Sequence, residues 1–109
     1  MLKFHKEILK QFEPVGKKAK IILFGSLAKG NYKLDSDIDL AIITKNKNLM
    51  KLASCIADKI LSEQGKLVTL KFINEKDFEE GKSPLISEIK KGIVIYNGEN
   101  VKIWLRILA

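Results

Sequence analysis

The sequence predicts an α/β (α+β) fold, a small mixed sheet of about four strands with helices packed on it. Short, largely apolar runs at 19–24, 38–44, 67–73 and 93–96 have the length of strands, and the first is rich in isoleucine as a buried strand should be. A segment with apolar residues at helical spacing lies between the second and third runs, and a Ser-Pro start signal opens another helix before the fourth. Turn residues separate the runs, with no repeat, low-complexity stretch or long linker. The order is α-β-(turn)-β-α-β-α-β, and 109 residues suit a single domain, 1–109.

The elements follow in turn. Leu2 to Phe12 reads as a helix, because Phe4, Ile8 and Phe12 recur every four residues, and Pro14 and Gly16 end it. "AKIILF" is the first strand, broken by Gly25. Ser26 is expected to cap a helical turn through Leu27 and Ala28. "GNYKLDS" is a loop, and "IDLAIIT" is the second strand. Leu49 to Ser62 is a helix with Leu49, Leu52, Ala53, Ile56, Ile60 and Leu61 as its apolar stripe and Gly65 as its stop. "LVTLKFI" is the third strand, and "NEKDFEEG" a turn or one helical turn. Ser83 caps a helix with Pro84 at its first position, Gly92 ends it, and "IVIY" is the fourth strand.

The segment "VKIWLRILA", 101–109, alternates like a strand through Val101, Ile103, Leu105 and Ile107, and is spaced like a helix through Val101, Trp104, Leu105 and Leu108. Its apolar character is expected to complete the core or to make a dimer or heteromer contact, with Trp104 as an anchor.

Composition narrows the function classes. No apolar run approaches the ~18 residues of a membrane span. The charged start "MLKFHKEILKQFEP" is no signal peptide. A lone cysteine, Cys55, permits no intrachain disulfide and suits a reducing cytosol. The net charge of +7 (20 basic, 13 acidic residues) favours polyanionic partners. The lysines are spread along the chain without an aromatic reader signature, which argues against direct nucleic-acid binding.

The chemistry gathers in "ILFGSLAKGNYKLDSDIDLAII", 22–43. Residues at i and i+2 on a strand share a face, so Asp37 and Asp39 are expected to present two carboxylates to one point, with Ile38 and Leu40 in the core. Adjacent carboxylates share a proton or bind a cation, and oxygen-only ligands suit Mg²⁺ or Mn²⁺ together with substrate phosphates. Gly25 permits close approach of a phosphate, Ser26 offers a hydroxyl ahead of free backbone N–H groups, Lys29 adds charge, and Gly30 allows a tight return.

The stretch "GSLAKGNYKLDSDIDLAII" resembles the signature of minimal nucleotidyltransferases of the DNA polymerase beta superfamily. The matching positions are Gly25, Ser26, Ala28, Gly30, Ser36, Asp37, Asp39 and Leu40 (signature 25–40), and the resemblance extends over about residues 15–99. It implies that Ser26 contacts a triphosphate and that Asp37 and Asp39 hold two divalent metals during transfer of a nucleoside monophosphate from NTP, foremost ATP, with Gly25, Lys29, Gly30 and Ser36 expected beside them in the nucleotide site. It also implies a third carboxylate on the next strand. Counting back from Phe78 places that position about at Thr69, with Lys71 next on the same face, and neither is an acid. Glu63, Glu75 and Asp77 read as surface charges, His5 as a surface residue of the first helix, and Cys55 as packing on the flank of the long helix.

Three functions remain open. The first is an active nucleotidyltransferase acting on a hydroxyl of a protein or small molecule. Proteins of this kind resemble antitoxins paired with a helical HEPN-domain RNase toxin. The second is a non-catalytic nucleotide-binding or antitoxin partner, favoured by the missing third acid. The third is a nucleic-acid-binding module, which the charge permits and no motif supports. The chain leaves no room for a separate acceptor-binding domain, so the acceptor is expected to come with a partner or to bind the bare site.

Overall fold

The computed structural model describes residues 3–30, 33 and 35–98. Helix α1 (Lys3–Lys10) and a short turn α2 (Glu13–Gly16) lead into strand β1 (Lys20–Phe24). A one-turn helix α3 (Gly25–Ala28) and a loop connect it to β2 (Ile38–Ile43). Helix α4 (Lys47–Gln64), β3 (Val68–Ile73), α5 (Glu75–Glu80), α6 (Pro84–Lys90) and β4 (Ile93–Asn97) follow. The sheet order is β3-β2-β1-β4. β1 is antiparallel to β2 and to β4, whereas β2 and β3 are parallel and α4 makes the crossover between them. The expected mixed sheet of four strands is what forms.

Strand alternation divides the sheet into two unlike faces. Ile38, Leu40 and Ile42 pair across the ladder with Val68, Leu70 and Phe72, and this face packs with Ile8, Leu9, Phe12, Ala53 and Ile60 of the N-terminal segment and α4. Ile38 and Leu40 are each 0 % exposed, and burying such a side chain contributes roughly 1.5–3 kcal/mol. A one-residue slip would expose both, so the register is fixed and Asp39 is held on the opposite face. There Ile22, Phe24, Ala41, Ile43 and Ile73 pack with Ile89, Phe78 and Ile86 of α5 and α6. Thr69 is half-buried and Lys71 exposed, so this face is open at its β2–β3 side. Tyr96 of β4 ties the sheet to α1 by donating its hydroxyl to the Leu9 carbonyl at 2.9 Å.

Several expectations are corrected. The first helix divides: α1 ends at Lys10, and Pro14 and Gly16 lie inside α2 rather than terminating anything, because proline fits the first turn of a new helix. α4 starts before Leu49 because the Asn46 side chain accepts from the N–H groups of Asn48 and Leu49. Leu52 and Leu61 are exposed, so the buried stripe of α4 is narrower than expected. His5 is not a surface residue: it is fully buried, and neither ring nitrogen has a hydrogen-bond partner among the described residues. Cys55 is exposed rather than packed. No helix among the described residues is long and apolar enough to cross a membrane. The segment 101–109, with Trp104, lies outside the described residues.

Candidate functional site

The antiparallel register sets Phe24, the last residue of β1, opposite Asp39 of β2. The residue after Phe24 therefore turns away beside the Asp39 side chain. Gly25 does so with φ +77°, a left-handed conformation that side chains disfavour. A Cβ added there would collide with Asp39 Oδ2. Both backbone and space thus demand glycine at this point. Gly30 closes the turn differently: its φ is +97° and its N–H donates to the Leu27 carbonyl at 3.2 Å, but a Cβ would meet nothing among the described residues within 4 Å.

Ser26 is the second residue of α3 and is exposed, but it does not cap that helix. Phe24 stands at the cap position with extended backbone, and no side chain bonds the helix start. Ser36 is buried in the loop before β2, with its N–H donating to the Lys33 carbonyl at 3.0 Å. Lys29 is exposed and bridged to Glu88 at 3.3 Å.

Asp37 precedes β2 and is exposed, whereas Asp39 lies within the strand and is half-buried. Burial raises the Asp39 carboxyl above its ordinary range, and the neighbouring charges of Asp37 and then Glu88 push it the same way. Lys71 opposes them. The structure thus brings Gly25 and Asp39 into contact and sets Asp37, Glu88 and Lys71 in the field around Asp39.

The parallel ladder pairs Asp39 with Thr69 and Ala41 with Lys71. Adjacent strands run about 4.8 Å apart, so the position reached by counting is the one beside Asp39, and it carries a hydroxyl. Among the described residues, no three or more His, Cys, Asp or Glu side chains gather where they could hold a metal. Two of the acids outside the strand have partners elsewhere. Glu63 pairs with Lys59 at 4.0 Å, and Asp77, in the first turn of α5, accepts from the Asn74 side chain at 3.1 Å.

Sequence reasoning missed Glu88. It lies far along the chain from the signature and belongs to no motif, so only the packing of α6 against β1 reveals it. Between α3 and α6 is a cavity of about 400 Å³, with Gly25, Ala28 and Lys29 on one wall and Pro84, Ser87 and Glu88 on the other.

A comparison with protein families matches residues 2–96 to the model of the nucleotidyltransferase domain. No curated protein and no solved structure gives a significant match.

Proposed function

The chain belongs to the nucleotidyltransferase domain family, and from that premise we propose that it binds a nucleoside triphosphate with Mg²⁺ or Mn²⁺ and transfers the nucleoside monophosphate to a hydroxyl of a protein or small molecule. One observation carries the proposal: the contact between Gly25 and Asp39, which sets the turn after β1 against a carboxylate whose charged form is disfavoured by burial and then by Asp37. A protein with no use for a cation gains nothing from two repelling carboxylates at this point.

The donor set fits a hard divalent cation shared with substrate. It offers oxygen only, from Asp37 and Asp39, and leaves the remaining coordination to phosphates and water. When bound, the cation neutralises phosphate charge and polarises the phosphorus under attack. The protein's own part is positioning. Asp39, fixed by the register of β2, and Asp37 hold the cation. Gly25 keeps the turn free of a side chain that would displace Asp39. Ser26 and Lys29 contact the phosphates, with Lys29 exchanging Glu88 for the ligand.

A second reading is favoured by Thr69. With a hydroxyl and an ammonium in place of the third acid, the acceptor side of the site lacks the group that would assist deprotonation. A protein of this composition can hold nucleotide and act by binding a partner, as the antitoxin of a HEPN-domain toxin would. Incubation with labelled ATP and Mg²⁺, with and without such a partner, separates the readings. Label transfer abolished by Asp37→Ala supports the enzyme, and nucleotide binding without transfer supports the binding partner.

A further inference from the structure

We propose that the cavity between α3 and α6 receives the nucleoside of the bound nucleotide, and that Glu88 accepts hydrogen bonds from its ribose hydroxyls. This rests on the reading of Gly25 to Asp39 as a triphosphate site and adds to it where the sugar goes and what recognises it.

The cavity, about 400 Å³, falls in the range of roughly 300–1,000 Å³ typical of small-ligand pockets. It is continuous with the phosphate turn, because Gly25 and Lys29 belong to both. Gly25 also touches the Asp39 carboxylate. A ligand whose phosphates lie along this turn carries its sugar into whatever space adjoins it, and this cavity does.

Its walls carry Lys29 and Lys91 beside a single carboxylate, Glu88, which is the acceptor that a sugar linked to a phosphate would meet. A carboxylate such as Glu88 receives hydrogen bonds from hydroxyl donors. Hydroxyl donors to a carboxylate make short, charge-assisted bonds. Glu88 sits 3.3 Å from Lys29, a single contact from the phosphate turn. That places it at the depth of the ribose, the group next to the phosphates, rather than at the more distant base. Ala28 and Pro84 supply apolar wall around it.

The Lys29–Glu88 bridge is compatible with this exchange. Its side chains are 73 % and 45 % exposed, and bridges so exposed contribute little. An arriving phosphate therefore draws Lys29 away readily, and Glu88 is left free to receive the sugar hydroxyls.

The test is titration of the full chain, in Mg²⁺, with ATP, 2′,3′-dideoxyATP and inorganic tripolyphosphate. Wild type should bind ATP about tenfold more tightly than the dideoxy analogue, the usual scale for hydrogen bonds to a charged group. Glu88→Gln should erase most of that preference while tripolyphosphate binds as well as before or better. Ser87→Trp, which fills the cavity from an exposed position, should weaken ATP and spare tripolyphosphate. Equal wild-type affinity for ATP and its dideoxy analogue, or a preference intact in Glu88→Gln, overturns the inference while leaving the triphosphate site standing. Failure of wild type to bind either ATP or tripolyphosphate removes that site, and the inference with it.

Discussion

The Asp39 carboxylate occupies the space that a side chain at Gly25 would need. Gly25→Ala therefore carries two penalties, the left-handed backbone and the displacement of Asp39. Gly30→Ala carries only the first, since its Cβ would meet none of the described residues within 4 Å. Both variants should lose about 1 kcal/mol or more of stability from backbone strain. Only Gly25→Ala should also lose Mg²⁺·ATP binding. Chemical denaturation and calorimetric titration of the pair check this, and equal retention of binding would show that the contact does not matter to the site.

The strain on Asp39 has a sign that can be measured. Its carboxyl titrates higher in the folded protein than in the unfolded chain. The folded state therefore binds the proton more tightly, and stability falls as pH rises through the window between the two values. Above that window the charged carboxylate is a standing cost. Asp39→Asn should melt a few degrees higher than wild type at neutral pH without metal, with the gain vanishing in acid near the unfolded carboxylate value of about 3.9. Mg²⁺·ATP should then stabilise wild type and leave the variant unmoved. A variant less stable than wild type in the absence of metal would mean that the carboxylate serves the fold.

Thr69 faces the same arrangement from β3. Thr69→Asp places a further carboxylate beside Asp39 across the ladder. In metal-free buffer it should lower Tm by a few degrees, because like charges accumulate. Mn²⁺ should raise Tm more in this variant than in wild type. If Mn²⁺ moves both equally, Thr69 is not at the metal position.

Much of this was legible in the sequence, and the parts that were not share a cause. The second strand was readable because Leu40 to Ile43 form an apolar run beside a turn, with Ile38, Leu40 and Ile42 alternating onto one face. The same alternation foretold that Asp39 would face away from the core, and counting from Phe78 reached Thr69, which the ladder places opposite Asp39. The start of α4 was missed although Asn46 stands there as a cap signal. Glu88 was invisible because α6 brings it to Lys29 only by packing against β1, a long-range contact with no periodicity. His5 was misread for a similar reason: a polar residue among lysines looks solvated until the packing encloses it.

Enclosure of His5 predicts a second pH effect. Burial, with Lys66 and the N-terminal charge adding to it, lowers the His5 value in the folded state. The unfolded chain takes up the proton first as pH falls, so stability is lost below about pH 6.5 and is unaffected above it. His5→Leu removes both unpaired ring nitrogens. It should melt a few degrees higher at pH 7.5 and lose less stability than wild type between about pH 6.5 and 5. Thermal melts across that range check it, and parallel pH profiles for the two proteins would argue against a buried neutral imidazole.

The most direct test of the site is calorimetric titration of Mg²⁺·ATP into wild type, Asp37→Ala and Asp39→Ala, with folding of each confirmed by its melt. Saturable binding to wild type that is lost in both folded variants is the expected result. No binding to wild type, or undiminished binding to the variants, would contradict a nucleotide-metal site at Gly25 and Asp39.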